Sequence, residues 1–458
     1  MNHASRFYRS SDRMGSLPPA SPLPSIAQTL LIAKWPHRFL EWHWRRYGSR
    51  FTVHTVGLPP LVFCSDKADI RAIVGAPADV LHPGAGAAVI TPLVGENSFI
   101  LQENDAHMAG RKAVMPAFAR RAVAEHATMI HDTIEGEVAS WPADEPFAVH
   151  PRLLACALRV MVTTVFGRED PRLPELCSRL LAMFSVAGSL MLQEPQLRHM
   201  PGWRGTWARF CAERAEVDEL IYGLIQDSPL NNDKQSVLSH LRQATNSDGT
   251  PYTSQQVRDD IMSLILAGHE DTAAQLAWAF QLIAHHPRVL RTLLNECDRD
   301  GDSYLTATIL EVMRHRPVFL FTIPRIVHHS FTLPGATFRP PIHLLGCIYL
   351  MHHDPQLYPQ PQSFLPERFL EHTPRPHVWM PWGGGRKRCP GNHFALLEMR
   401  DVLRTVLVSW EIHPAATTME AARWRSVIVA PGDGSRIILR RRHTKTSHRS
   451  RDRRAPKA

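Results

Sequence analysis

The chain has 458 residues, 44% of them hydrophobic and 21% charged, proportions of an ordinary globular protein that exclude a largely disordered, collagen-like or multi-span membrane chain. Its net charge of +9 sits at one end, because residues 440–458 carry nine Lys or Arg against the single Asp452; the nearly neutral body gives no sign of the basic folded face that binds nucleic acid. Seven cysteines, an odd number without a Cys-x-x-Cys pair, in a chain too large to need disulfide staples, indicate a reducing compartment and hence the cytoplasm.

Residues 1–24 are rich in Ser, Arg and Pro and end in Leu17-Pro-Pro-Ala-Ser-Pro-Leu-Pro24, a flexible lead-in without the apolar centre of a signal peptide. No stretch reaches the ~18 consecutive apolar residues of a membrane span, so no transmembrane anchor is expected. Order is expected from Ser25, with an amphipathic helix ending near Tyr47-Gly48 and a small sheet from residues 50–56 and 60–64. From Ala106 to about His285 helical patterns dominate, broken at Trp141-Pro142, Gly167, Pro195, Pro201-Gly202 and Ser228-Pro229. With no internal repeat or linker, residues 25–439 read as a single mostly α domain with a minor β-sheet region, followed by a basic disordered tail at 440–458.

The longest helix opens on a capping box, Thr253-x-x-Gln256, and stops at Pro287, which makes it about 50 Å long at 1.5 Å per residue. Its centre reads Ala267-Gly268-His269-Glu270-Asp271-Thr272 between apolar turns. Burying that polar run is costly unless partners or a wet cavity compensate it. Its plainer reading is pairing with a neighbouring helix, and no set of metal ligands accompanies His269 or Asp271. Glu311-x-x-Arg314 then places opposite charges on one helix face before Pro317, and Pro366-Glu-Arg-Phe369 follows.

The sharpest local signal is Trp382-Gly-Gly-Gly-Arg-Lys-Arg-Cys-Pro-Gly391, directly before a helix expected from about His393 to Trp410. A cysteine among cations at a helix N-terminus is placed to be a thiolate, which suits a metal ligand or a nucleophile better than a core thiol. A phosphate-cradling loop fits less well, since no strand precedes the glycines and Gly-x-x-x-x-Gly-Lys-Ser/Thr is absent. A short strand pair around 424–439 ends the domain.

These residues resemble the cytochrome P450 superfamily, whose haem loop reads Phe-x-x-Gly-x-Arg/His-x-Cys-x-Gly; Gly385, Cys389 and Gly391 fall in register. The resemblance implies that Cys389 is the proximal thiolate ligand of haem b (iron protoporphyrin IX), within a cofactor loop that includes Trp382, Gly383 and Gly391. Trp382 stands where the family has Phe. Lys387 replaces the Arg or His that meets a haem propionate, offering a point charge without a bidentate fork. His107-x-x-x-Arg111, two side chains on one face of an early helix, and Arg325 on a later strand are similar to the family's other propionate contacts. Glu311, Arg314 and Arg368 resemble its buried cluster that holds the proximal side together. The implied fold is the mostly α cytochrome P450 fold, its long central helix lying over haem.

In the family that helix carries Ala/Gly-Gly-x-Asp/Glu-Thr-Thr, where the small pair admits dioxygen and the acid and first hydroxyl help deliver protons. In register here the small pair is Ala267 and Gly268, the acid is Glu270, and Asp271 replaces the first threonine. Thr272 lies one residue on, turned by about 100°. Three readings stay open: Asp271 itself donates or organises water for protonation; the substrate supplies the missing hydroxyl; or the reaction is a rearrangement, dehydration, coupling or peroxide-driven oxidation that dispenses with the alcohol. The resemblance implies an O2-using monooxygenase acting on a hydrophobic small-molecule metabolite. Electrons are expected from a separate ferredoxin or flavodoxin-type donor, drawn to the bases Lys112, Arg120, Arg121, Arg386, Lys387 and Arg388. A peroxide-using or non-oxygenating relative is the alternative among enzymes, and a haem-binding sensor or carrier the alternative outside them. The expected pocket draws on residues 81–99, 184–200, Leu264, Ala267, 319–323 and a turn near Val429-Ala430, all mostly apolar.

Overall fold

The computed structural model describes residues 17–167, 170–187, 202, 204–227, 236–372 and 374–442. Residues 1–16 of the lead-in, 188–200 of the expected pocket and the tail beyond 442 lie outside the described residues. In chain order the first half holds α1 (Ser25–Lys34), α2 (Pro36–Tyr47), β1 (Arg50–Val53), β2 (Leu61–Cys64), α3 (Lys67–Gly75), β3 (Leu81–His82), α4 (Asn104–Val114), α5 (Arg120–Val138), β4 (Phe147–Ala148), α6 (Val149–Phe166), α7 (Leu173–Ala187) and α8 (Arg204–Asp227). The second half holds α9 (Ser254–His285), α10 (Pro287–Cys297), α11 (Ser303–His315), β5 (Arg325–Val327), β6 (Phe331–Leu333), β7 (Ala336–Phe338) and β8 (His343–Gly346). It ends with α12 (Asn392–Ser409), β9 (Trp410–Pro414), β10 (Ala422–Arg425), β11 (Ile428–Pro431) and β12 (Arg436–Arg441). Short helical turns between these elements are left unnumbered.

Local chemistry explains most boundaries. The expected first helix is two, because Pro36 at the first position of α2 has no N–H to continue α1. The capping box forms on both sides: Gln256 donates its N–H to Thr253 Oγ1 at 3.2 Å and Thr253 donates its own to Gln256 Oε1 at 3.0 Å. From there α9 runs 32 residues until Pro287 opens α10. Helix α6 is long and apolar enough to cross a membrane, yet it packs against α9 and α5, so its apolar surface is core surface.

The main sheet has the order β1-β2-β8-β5-β3, with β2 and β8 parallel and the other neighbours antiparallel. The expected strand pair at 424–439 resolves into two units. β10 and β11 form a hairpin, whereas β12 pairs with β9 and β4 in a separate three-stranded sheet. Folded contacts also reach past both ends of 25–439. Thr52 donates its N–H to Pro19 O at 2.9 Å and its hydroxyl to Pro18 O at 2.8 Å, docking the lead-in's end on β1. At the other end Arg442 forks onto Asp298 at 2.8 and 2.9 Å.

Candidate active site

The cysteine loop is built by its glycines. Gly385 has φ +64°, and a Cβ there would lie 2.0 Å from the Val74 carbonyl oxygen, so only glycine lets the loop rest on the end of α3. Gly383 also takes a positive φ, +67°. Cys389 donates its N–H to Trp382 O at 2.9 Å, closing the loop. Gly391 then caps α12 and directs its own N–H at the sulfur. Enclosure pushes the Cys389 thiol up to about 11, with Asp271 adding to the rise, while the Gly391 N–H, Arg111 and Arg388 oppose it. Desolvation thus works against the cations and the helix end that favour the thiolate. Such a thiol keeps its proton until a metal cation replaces it, which favours a metal ligand over a nucleophile. Among the described residues no three His, Cys, Asp or Glu could hold a bare ion. A porphyrin iron, which carries four ligands of its own, would need only this sulfur from the proximal side.

The cations flanking this loop fit such a group. Arg325 on β5 is buried, and its Nε and Nη1 have no partner; burial lowers its pKa to about 10, with Glu103 opposing. Orphaned donors on a buried guanidinium call for an anion, and a porphyrin propionate answers that need. Arg111 on α4 donates to Arg388 O at 2.5 Å. Lys387 sits between the cysteine loop and residues 100–102. Its Nζ donates to the carbonyls of Ile100 at 2.8 Å and Gln102 at 2.6 Å, and burial brings its pKa down to about 8. His107 lies 2.7 Å from Phe99 O through Nδ1 and 3.2 Å from Arg386 O through Nε2. Together His107 and Lys387 pin residues 99–102 to the cysteine loop.

Across from the sulfur, α9 turns an accessible face inward. Residues 261–265 and 272–284 are buried, but Ala267 is exposed and Leu266, Glu270 and Asp271 are half-buried. Burial holds the Asp271 carboxyl well above the carboxylate range, with Glu270 adding to it. Burial also raises Glu270 to about 7, against the pull of Arg425. Among the described residues neither carboxyl has a hydrogen bond or ion pair. Thr272 is buried away from this face, as the 100° turn requires. Gly268 serves a helix crossing rather than the inner face, since a Cβ on it would come within 2.5 Å of Met161 Sδ on α6. His269 is a satisfied core residue. Its Nδ1 lies 2.8 Å from Ile265 O and its ring stacks on Phe184 at 4.6 Å.

Behind the loop, Glu311 and Arg314 form a fully buried bidentate pair at 2.7 and 2.8 Å. Arg314 also donates to the carbonyls of His352, Pro361 and Ser363 at 2.8, 2.9 and 3.2 Å. Arg368 Nε reaches Glu311 Oε1 at 3.4 Å. His352 Nε2 accepts the Met380 N–H at 3.0 Å, so this cluster leads directly into the segment that carries Cys389.

Four acids or hydroxyls and one base escaped the sequence reading. Asp259 accepts from both nitrogens of Asn97 at 3.0 Å, Asp260 from Phe99 N at 2.8 Å, and Ser263 lies 2.6 Å from Ser98 through their hydroxyls. These three fasten residues 97–99 to α9, and the adjacent acids in an apolar helix were the available signal. Glu398 on α12 is buried with neither oxygen hydrogen-bonded. Arg425, at the end of β10, reaches toward Glu270; nothing local marks it. The expected pocket residues Leu264, Val429 and Ala430 belong to the core instead.

A family model described as cytochrome P450 matches residues 17–433. A Mycobacterium tuberculosis protein provisionally named cytochrome P450 135B1 is 33% identical over 436 residues, covering 93% of this chain and 91% of its own. Another from the same organism, provisionally named cytochrome P450 138, is 31% identical over 429 residues, covering 93% and 97%. Among solved structures, retinoic acid bound cyanobacterial CYP120A1 matches with a TM-score of 0.80 at 22% identity over 93% of this chain and 99% of that one. The cytochrome P450DA heme domain matches with a TM-score of 0.81 at 18% identity over 94% and 99%. At these identities the two structures speak for the fold.

Proposed function

Because the chain belongs to the cytochrome P450 family, whose members bind haem b through a cysteine thiolate, we propose that it is a monooxygenase of hydrophobic small molecules with Cys389 as the iron ligand. The observation that carries the reading is the enclosed Cys389 opposite Asp271, flanked by the orphaned donors of Arg325. Haem b, when bound, supplies the dioxygen-activating redox chemistry. Arg325 and Arg111 hold its anionic edge, while Lys387 and His107 keep the loop at 99–102 in place beside it.

Monooxygenation puts one oxygen atom into the substrate and releases the other as water, which consumes two electrons and two protons. Asp271 takes the position of the usual alcohol. Its raised pKa keeps a proton on the accessible face of α9, and Glu270, titrating near neutrality, replenishes it. The electrons come from a separate ferredoxin or flavodoxin-type donor. The exposed Lys112, Arg120, Arg121, Arg386 and Arg388, with exposed Met108 and Met115 among them, suit its acidic surface. The seven unpaired thiols support a cytoplasmic setting.

The test is turnover of the haem-loaded protein with a surrogate ferredoxin and its reductase, measuring product formed per electron consumed. Asp271→Asn should lower that ratio by roughly a hundredfold, and Asp271→Thr should keep most of it. Full coupling in Asp271→Asn would overturn the assignment. The missing alcohol favours one second reading, peroxide-driven oxidation, which would yield product from hydrogen peroxide without reductant as efficiently as from O2.

A further inference from the structure

Arg425 ends β10 at the tight turn of Ser426 and Val427, opposite Ile428 of β11. Its strand neighbours are satisfied: Arg423 donates to Lys34 O at 3.0 Å and Trp424 Nε1 to Ile32 O at 2.9 Å. Arg425 has neither a hydrogen bond nor an ion pair among the described residues, and its Nε is sealed from solvent. A guanidinium offers five donors and a permanent charge; in this half-buried one the sealed Nε is left without a partner, which is costly.

Two titratable groups face it. His150, at the start of α6, is kept neutral because burial, with Arg425 assisting, lowers its pKa to about 3. Glu270 approaches from α9, but with a pKa near 7 it is only partly ionised at neutral pH and makes no ion pair with Arg425. The positive charge at this corner therefore lacks a full counter-ion. Partly buried or exposed apolar side chains stand on the neighbouring elements: Leu266 and Ala267 on α9, Phe184 stacked on His269, Phe319 and Phe321 ahead of β5, and Val427 in the turn itself.

We propose that Arg425 anchors a carboxylate on the substrate, so that the substrate class is an amphipathic carboxylic acid whose apolar body lies along α9. The proposal rests on the monooxygenase reading above. A carboxylate can pair with the guanidinium as a two-bond fork and cancel its charge. The corresponding methyl ester keeps the apolar body and loses that pairing, which makes acid and ester a matched probe.

The experiment titrates the haem-loaded protein with dodecanoic acid and abietic acid, each beside its methyl ester, following the low-to-high-spin optical shift. Equilibrium dialysis of the same radiolabelled compounds repeats the comparison without the haem signal. In the native protein at least one acid should bind roughly tenfold or more tighter than its ester. Arg425→Gln should bring that acid to the ester's affinity and leave the ester within roughly twofold, and the charge-keeping Arg425→Lys should retain part of the preference. If Arg425→Gln fails to hold haem, the Arg425→Lys comparison carries the test, with the acid weakened several-fold and the ester unchanged. Equal affinity of acid and ester in every pair, no acid binding at all, or equal losses for acid and ester in the variants would overturn the proposal. A purified protein without a thiolate-type haem spectrum would sink the monooxygenase reading instead, while dialysis still decides the acid preference.

Discussion

Glu270 stores a measurable amount of free energy that Glu270→Gln should release. Burial on α9 raises its pKa from 4.5 to about 7, and at 1.36 kcal/mol per tenfold in proton affinity this gap is worth about 3 kcal/mol. Below pH 4.5 the carboxyl is protonated in folded and unfolded chains alike and contributes nothing. Between pH 4.5 and 7 the unfolded chain ionises while the folded one holds its proton, so stability falls as pH rises. Above pH 7 the loss is complete. Glutamine has no proton to lose, so Glu270→Gln should match the native protein at pH 5 and exceed it at pH 8. With an unfolding entropy of roughly 2 cal/mol/K per residue, about 3 kcal/mol corresponds to about 3 °C in Tm for a chain of this length. Among the described residues Arg425 opposes the rise, so its loss of a partial partner trims the gain. The assay is a set of thermal melts of both haem-loaded proteins from pH 5 to 9. A Tm difference that widens from pH 5 to about 7 and then levels off is expected, and parallel curves across the range would refute the reasoning. Turnover should fall in the same variant, since the acid is costly where it sits and is kept for its proton.

Cys389→Ser should abolish the thiolate-type carbon monoxide spectrum of the reduced protein, and its persistence would show that another residue holds the iron. Arg314→Met should destabilise the fold by about 3–5 kcal/mol, because it removes the bidentate partner of the fully buried Glu311 and leaves it only the longer contact to Arg368; urea denaturation with a midpoint close to the native one would contradict this. Gly268→Ala should cost about 1–3 kcal/mol by driving a methyl group into Met161. In a Met161→Ala background the same substitution should cost little, a coupling that a double-mutant cycle by thermal melts will show.

Punctuation and motif were legible from local rules. Thr253, Gln256 and Pro287 bound the long helix because a cap and a missing N–H act over a few residues. The glycines around Cys389 are demanded by backbone sterics, Gly385 by its φ and the Val74 carbonyl. The Glu311 and Arg314 pair follows from i,i+3 geometry within one helix. At Lys387 and Gly268 packing adds contacts that the motif does not announce: the lysine reaches the carbonyls of Ile100 and Gln102, and the glycine accommodates a methionine from α6.

Which side chains share one enclosed space was settled by packing between distant segments. Cations and a helix end beside Cys389 suggest a thiolate, but the degree of enclosure decides its proton, and enclosure comes from elements hundreds of residues apart. Arg425 shows the same division. In sequence it is one of two alternating arginines on a short strand, and nothing nearby separates it from Arg423, which finds the Lys34 carbonyl. Only the hairpin's approach to α9 leaves Arg425 facing Glu270 without a full partner. The sequence by itself determined the family, the ends of the long helix and the glycine-built loop around Cys389, because these depend on neighbours along the chain. Tertiary structure decided which carboxyls are desolvated and where Arg425 stands, because desolvation depends on neighbours in space.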